Sequence, residues 1–223
     1  MTVQTNNITG DPTSLSDAAL LRLLHLADSA IPIGSAAHSF GLETLADEEV
    51  LTPDKVEVFL TAYIEEAGAL EVAYVRRARN ATELRGLSEE LSARKLARES
   101  RDASAKLGRR FAELVNGMLG HVVIEGDLHY AVAFGAAGAA LGIPVNAVAL
   151  AYLNQSITGL VSACQRLMPL GQSAAAKILW NLKPVVARVS HCPMQTEEAF
   201  CFNPYLELAS MRHGSIETRL FIS

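Results

Sequence analysis

No Asp, Glu, Lys or Arg occurs between Asp127 and Arg166. An uncharged stretch of that length belongs either in a bilayer or inside a protein. About 20 apolar residues suffice to cross a bilayer. Here, however, Ala and Gly prevail over Leu and Ile, and Pro144 and Asn146 break the stretch in the middle. Asn154, Gln155, Ser156 and Thr158 interrupt its second half, and no Lys or Arg flanks its N-terminal side. The pattern predicts two buried helices, about Tyr130–Leu141 and Val145–Leu167, joined at Gly142-Ile-Pro144. Gly135, Ala136, Gly138 and Ala139 let helix backbones approach closely. That suits the core of one subunit or a helical dimer interface, so segment 131–163 is the candidate for core and dimer packing. The alternative is a membrane-embedded hairpin over 128–165, which detergent-free solubility would remove.

The rest of the chain reads the same way. Half of the residues are hydrophobic and 19% are charged, a balance that excludes a disordered chain. A chain of 223 residues buries about 70% of its surface on folding, so no disulfide or metal staple is required. Apolar residues recur at helical spacing, without a convincing strand alternation. The expected fold is all-α, a single-domain bundle of about ten helices over residues 14–223, after a polar, disordered tail at 1–13.

Local signals place the helices. Ser14 or Ser16 caps a first helix over about 15–27, and a short helix is expected over about 39–47. Thr52-Pro53-Asp54 opens another, with Thr as cap and Pro at the first helical position, and Gly68 is its expected end. Further helices are expected over about 71–81, from Ser88, over about 95–119, over about 172–181 and over about 182–190. Asn203-Pro204 opens a last short helix that Gly214 would close.

Chemistry is harder to find. The net charge of −5 argues against a nucleic-acid binder. The N-terminus lacks the basic start and apolar core of a signal peptide, so a reducing cytoplasm is expected. Cys164, Cys192 and Cys201 are too widely spaced for a metal pair or a disulfide framework, and Cys164 reads as a packing residue. His191-Cys192 is an adjacent pair of possible ligands, too few for a closed metal site. There is no GxxxxGK[ST], GxSxG or HExxH and no dinucleotide-binding glycine pattern, so no cofactor or metal is expected. Arg94, Lys95, Arg98, Arg101, Lys106, Arg109 and Arg110 form a basic run. It is either a solvated helix face or a docking face for an acidic partner. On these grounds binding or scaffolding outranks catalysis.

Four segments carry a family resemblance. Leu23-Leu-His-Leu-Ala-Asp-Ser-Ala-Ile-Pro-Ile-Gly34 followed by His38-Ser-Phe-Gly-Leu-Glu43 resembles the opening motif of the UreF family of urease accessory proteins. Arg166-Leu-Met-Pro-Leu-Gly-Gln172 is similar to that family's R-L-x-P-L-G-Q, and Glu99-x-Arg101 with Gly108 is a further match. The terminal Glu217-Thr-Arg-Leu-Phe-Ile-Ser223 resembles its final E-x-R-L-F-R-S. The matches run in family order from about residue 20 to the end of the sequence. Three positions depart from the pattern: Ala36 where Phe is common, Phe40 where Gln or His is common, and Ile222 in place of the penultimate Arg. The last change removes a charge from the tail and puts in doubt any contact that depends on it.

The resemblance implies an all-helical, dimeric scaffold with no catalysis of its own. It implies partners: a UreD/UreH-type accessory protein, the GTPase UreG and the urease apoprotein, with nickel delivered and the active-site lysine carbamylated. Gly34, His38, Ser39, Gly41, Glu43 and Arg219 are then the partner-facing candidates, Glu43 as an exposed carboxylate. Gly34 and Gly41 also set backbone shape. Pro32, Arg166 and Gln172 are expected as supports: Pro32 shapes its loop, Arg166 holds a carboxylate or carbonyls, and Gln172 ties down the Pro169–Gly171 turn. The reading from a different class is an α-helical enzyme with a site around His38, Glu43 and Arg166.

Overall fold

The computed structural model describes residues 15–192, 201 and 203–222. Ten α-helices and no strand occur among them. They are α1 (Asp17–Leu26), α2 (Leu42–Asp47), α3 (Val56–Tyr63), α4 (Ala69–Ala78) and α5 (Leu84–Arg94), then α6 (Arg98–Leu119), α7 (Tyr130–Ala140), α8 (Val145–Leu167), α9 (Gln172–His191) and α10 (Pro204–Arg212). The tail expected at 1–13 lies outside the described residues.

The uncharged stretch is the centre of the molecule. Helix α7 is buried from Tyr130 to Gly138 and packs against α4, α6 and α8. Its small residues allow this. A Cβ on Gly135 would collide with the Val75 carbonyl of α4, and one on Gly108 of α6 with the Leu128 carbonyl just before α7. Helix α7 is thus spent inside one subunit and offers no dimer face along its buried length. Helix α8 is long and apolar enough to span a bilayer, yet 56% of its most apolar window is buried in the protein, against α4, α7 and α9. Phe111, Tyr130, Phe134 and Tyr152 interlock in the core, with ring centroids 5.3 to 5.9 Å apart.

Several boundaries differ from the local expectation. Ser16 is the cap of α1, its Oγ accepting from Ala19 N at 3.3 Å. Thr52 holds the N-cap position, with Pro53 first, of a 3-10 turn at Pro53–Lys55 that leads into α3, but it makes no side-chain cap bond: its hydroxyl donates to Asp54 Oδ1 at 2.7 Å. Gly68 does not end its helix. The chain runs on from α3 to α4 through a π-helical turn at Ile64–Gly68. A Cβ at Gly68 would sit 2.9 Å from Leu153 Cδ1, so this glycine serves close packing on α8. Helix α5 starts before Ser88, where the Glu83 side chain accepts from Gly86 N at 2.6 Å. The basic helix starts only at Arg98, because Arg101 turns back to the carbonyls of Lys95 and Leu96 at 2.6 and 2.8 Å. The two helices expected after Gln172 are one, with Pro184 inside it.

Candidate functional site

The loop between α1 and α2 is pinned from below by Ile31 and Ile33, both buried, while Pro32 is exposed. Gly34 adopts φ 84°, and the Arg110 guanidinium lies against it, donating to the Ile33 carbonyl at 3.2 Å. A side chain there would meet both the strained φ and that guanidinium. Farther on, Phe40 at φ 52° and Gly41 at φ 92° form two successive left-handed residues. Left-handed backbone is costly for a bulky residue such as Phe40. A Cβ on Gly41 would lie 2.9 Å from the Leu206 carbonyl and from Ser210 Oγ, so the glycine lets α10 close over the loop. Ser39, fully buried, accepts from Glu43 N at 3.5 Å and so starts α2.

The turn aims Glu43 inward. Its expected exposure is wrong: the residue is only 4% exposed. The Oε2 atom accepts from His213 Nε2 at 2.7 Å and Phe221 N at 3.2 Å, and Oε1 accepts from Leu220 N at 2.5 Å. A buried carboxylate is tolerated only when its lone pairs are taken, and here the C-terminal tail takes them. The tail is fastened once more by Ile222 N, which donates to the Ala37 carbonyl at 2.8 Å. That bond is main-chain, so the tail's docking does not depend on an arginine at 222. Phe221 is buried, whereas Arg219, Leu220 and Ile222 point outward.

Arg166 joins loop and tail. It donates to the Ala36 carbonyl at 2.7 Å, and its guanidinium sits 3.9 Å from the Phe221 ring centroid. The expectation that it holds carbonyls fits this geometry. Gln172 does not tie down the turn: it is exposed at the start of α9, with no side-chain hydrogen bond among the described residues. Glu43, Arg166 and the tail therefore meet in space from three distant stretches of sequence. Gly108 and Arg101 serve packing and helix geometry instead.

A cavity of about 190 Å³ runs inward from this junction. Ser29, Gly159, Ser162 and Arg166, all exposed, line its outer part, and Phe221 is in its wall. Glu71, Lys95, Tyr130, Tyr152 and Gln155 line its depth. Lys95 Nζ donates to Glu71 Oε1 at 2.6 Å, Tyr152 Oη to Glu71 Oε2 at 2.8 Å, and Tyr130 Oη to Gln155 Oε1 at 2.7 Å. Burial pushes the Glu71 carboxyl up, but the Lys95 ammonium and the two hydrogen bonds outweigh it and hold the pKa below the usual value. Nearby His129 is pushed down to about 4, first by burial and then by Lys95. His38, in the cavity wall, is lowered by burial and by the charges of Lys106 and Arg110, which favours the neutral ring. Sequence reading missed this interior. Its one legible signal was Tyr130, Tyr152 and Gln155 within an uncharged stretch, since buried polar groups need partners.

The alternative enzyme site does not assemble. Both Glu43 oxygens are occupied, and Glu43 is not in the cavity wall that His38 and Arg166 share. His191 and Cys192 are exposed, and no group of three His, Cys, Asp or Glu residues able to hold a metal occurs among the described residues. Cys164 is buried, with its thiol pushed up to about 12 by burial. The basic run is largely used internally. Arg94 pairs with Glu90, Lys95 with Glu71, Arg98 with Asp102 and Arg109 with Asp127.

The profile of the UreF family matches residues 50–183. The urease accessory protein UreF of Nostoc sp. strain PCC 7120 is 33% identical over 228 residues, covering 96% of this chain and 100% of that protein. Its counterpart in Corynebacterium glutamicum strain R is 34% identical over 218 residues, covering 90% and 96%. That of Geobacillus kaustophilus is 31% identical, covering 94% and 100%. The chain belongs to the UreF family of urease accessory proteins.

Proposed function

We propose that this chain is a non-catalytic scaffold in urease maturation. In this reading it works in the cytoplasm as a homodimer. It binds a UreD/UreH-type protein and the UreG-type GTPase on the urease apoprotein. The complex couples GTP binding or hydrolysis by the partner to nickel insertion, and nickel is cargo. The observation that supports this best is the convergence of the motif loop, Arg166 and the tail into one folded junction. That junction presents Arg219 outward, with no hydrogen bond or ion pair from its side chain among the described residues. Arg219 is the contact residue; Gly34, His38, Ser39, Gly41 and Glu43 act by shaping the junction that carries it.

The test is urease activity at limiting nickel in a host whose own UreF-type gene is deleted and replaced by this one. Restored activity is expected, together with capture of the cognate UreD- and UreG-type proteins. Arg219→Ala should weaken capture at least tenfold without moving the melting temperature. Unchanged capture by Arg219→Ala removes the role of that residue. No activity and no capture of cognate partners by folded protein overturns the scaffold reading.

A further inference from the structure

The wall of the cavity carries more hydrogen-bonding capacity than the protein itself uses. Gln155 is 5% exposed; its Oε1 accepts from Tyr130, while its amide N–H2 has no hydrogen-bond partner among the described residues. Tyr63, also buried in the wall, has a hydroxyl without a hydrogen-bond partner among the described residues. Tyr130 and Tyr152 give their hydroxyl protons to Gln155 and Glu71, which leaves lone pairs on both phenolic oxygens. Spare donors and spare acceptors therefore face one small space, and buried polar groups need partners. The π-helical turn at Ile64–Gly68 helps to build this wall: Tyr63 precedes it, Ala67 lies within it and Glu71 follows it. Such turns are frequent at functional sites.

The charges in the wall cancel. Lys95 and Arg166 stand against Glu71 and Glu207. Lys95 is paired with Glu71 at 2.6 Å, and Glu207 accepts from Ala97 N at 2.5 Å. An ion taken into the depth needs a countercharge, and the wall has none to spare. A neutral molecule with a carbonyl and an N–H2 group on one carbon matches what is free. Its carbonyl accepts from Gln155 or Tyr63, and its N–H2 donates to the oxygens of Tyr130 or Tyr152. The volume of about 190 Å³ equals roughly six water molecules at about 30 Å³ each, which leaves room for a short apolar group against Leu107 or Leu160. We propose that the cavity is a binding site for a small neutral amide, entered through the mouth between Ser29, Gly159, Ser162 and Arg166 with the tail in place. The site does not rest on the function proposed above.

The probes are acetamide, acetate and acetone. They share one shape and carry, in turn, both functions, a charge, and a carbonyl alone. Each has a single methyl resonance, so binding to the full chain is read by saturation-transfer NMR titration. Acetamide should bind saturably at millimolar concentration, and about fivefold tighter than acetate or acetone, the effect of one hydrogen bond. Tyr63→Phe removes a hydroxyl that bonds nothing else among the described residues, and should weaken acetamide by a similar factor without lowering the melting temperature. A Cβ at exposed Gly159 meets no atom within 4 Å, so Gly159→Leu narrows the mouth without crowding α8 and should suppress the acetamide signal even if Tyr63→Phe fails to fold. Loss of binding in either folded variant sustains the proposal. No saturable acetamide signal in the parent overturns it and leaves the cavity to water. Acetate or acetone binding as tightly as acetamide also overturns it, since charge or shape alone would then decide. Unchanged acetamide binding in both variants overturns it as well, because the ligand would then sit elsewhere on the protein.

Discussion

Glu43→Gln is the most searching perturbation of the junction. The amide has nearly the same shape as the carboxylate but only one accepting oxygen. If that oxygen keeps His213 and Phe221, its NH2 faces the Leu220 N–H that Oε1 holds at 2.5 Å. A hydrogen bond to a charged group contributes about 1.5 to 3 kcal/mol, and here a donor replaces the acceptor. The expected cost is about 2 to 3 kcal/mol, or about a 30- to 140-fold rise in the open tail. Trypsin reads that population. Cleavage after exposed Arg219 needs an extended substrate, which the docked tail does not offer, and its rate follows the open fraction when reclosing is fast. The assay is the rate of loss of segment 220–223 by mass spectrometry under native conditions, alongside thermal unfolding. Cleavage should accelerate by that factor while the melting temperature moves by only a few degrees. Equal cleavage rates in the two proteins would refute the role of Glu43 in holding the tail. A large drop in melting temperature would show instead that Glu43 holds the core.

Two further outcomes follow from the interior. The folded pKa of His129, about 4, lies below the unfolded value of about 6.5, so the unfolded chain binds the proton first as pH falls. The stability present above pH 6.5 is therefore lost towards pH 4, about 2 kcal/mol of it between pH 7 and pH 5 at about 1.4 kcal/mol per unit. His38 acts in the same direction, so the check is the difference in urea midpoints between the parent and His129→Asn across that range. Glu71 adds its own loss only below about pH 4.3, its unfolded value. Lys95→Met leaves the Glu71 carboxylate buried without its cation, at a cost of about 3 to 5 kcal/mol, or roughly 10 °C in thermal unfolding. The double variant Lys95→Met/Glu71→Gln should recover most of that; failure to recover would mean that Lys95 acts through packing rather than charge.

Helices α7 and α8 were legible almost to the residue because their signals are local: an uncharged run and a Gly-Ile-Pro junction. Gly68 misled because the same residue type ends helices and permits close approach, and only the position of Leu153 on α8 decides between them. Pro184 misled for a related reason, since tertiary packing carries a helix through a residue that would break it in isolation. At the junction, the sequence pattern picked out the right segments but not their orientation. Whether Glu43 points to solvent or to the tail is set by partners as far along the chain as Phe221, and by the left-handed pair Phe40-Gly41 that turns α2 inward. The Glu71–Lys95 pair was illegible for the same reason: each residue looks like an ordinary surface charge until α4 is packed beside the segment that enters α6.

The manner in which the tail is tied has an evolutionary consequence. Three of its fastenings use the main-chain N–H groups of Leu220, Phe221 and Ile222, which most amino acids supply equally well. Of these three side chains, only that of Phe221 is committed to the interior. The residues at 219, 220 and 222 can change without a folding penalty. Ile222, which stands where the family motif has Arg, shows such a change with the fastening intact, because its N–H still reaches the Ala37 carbonyl.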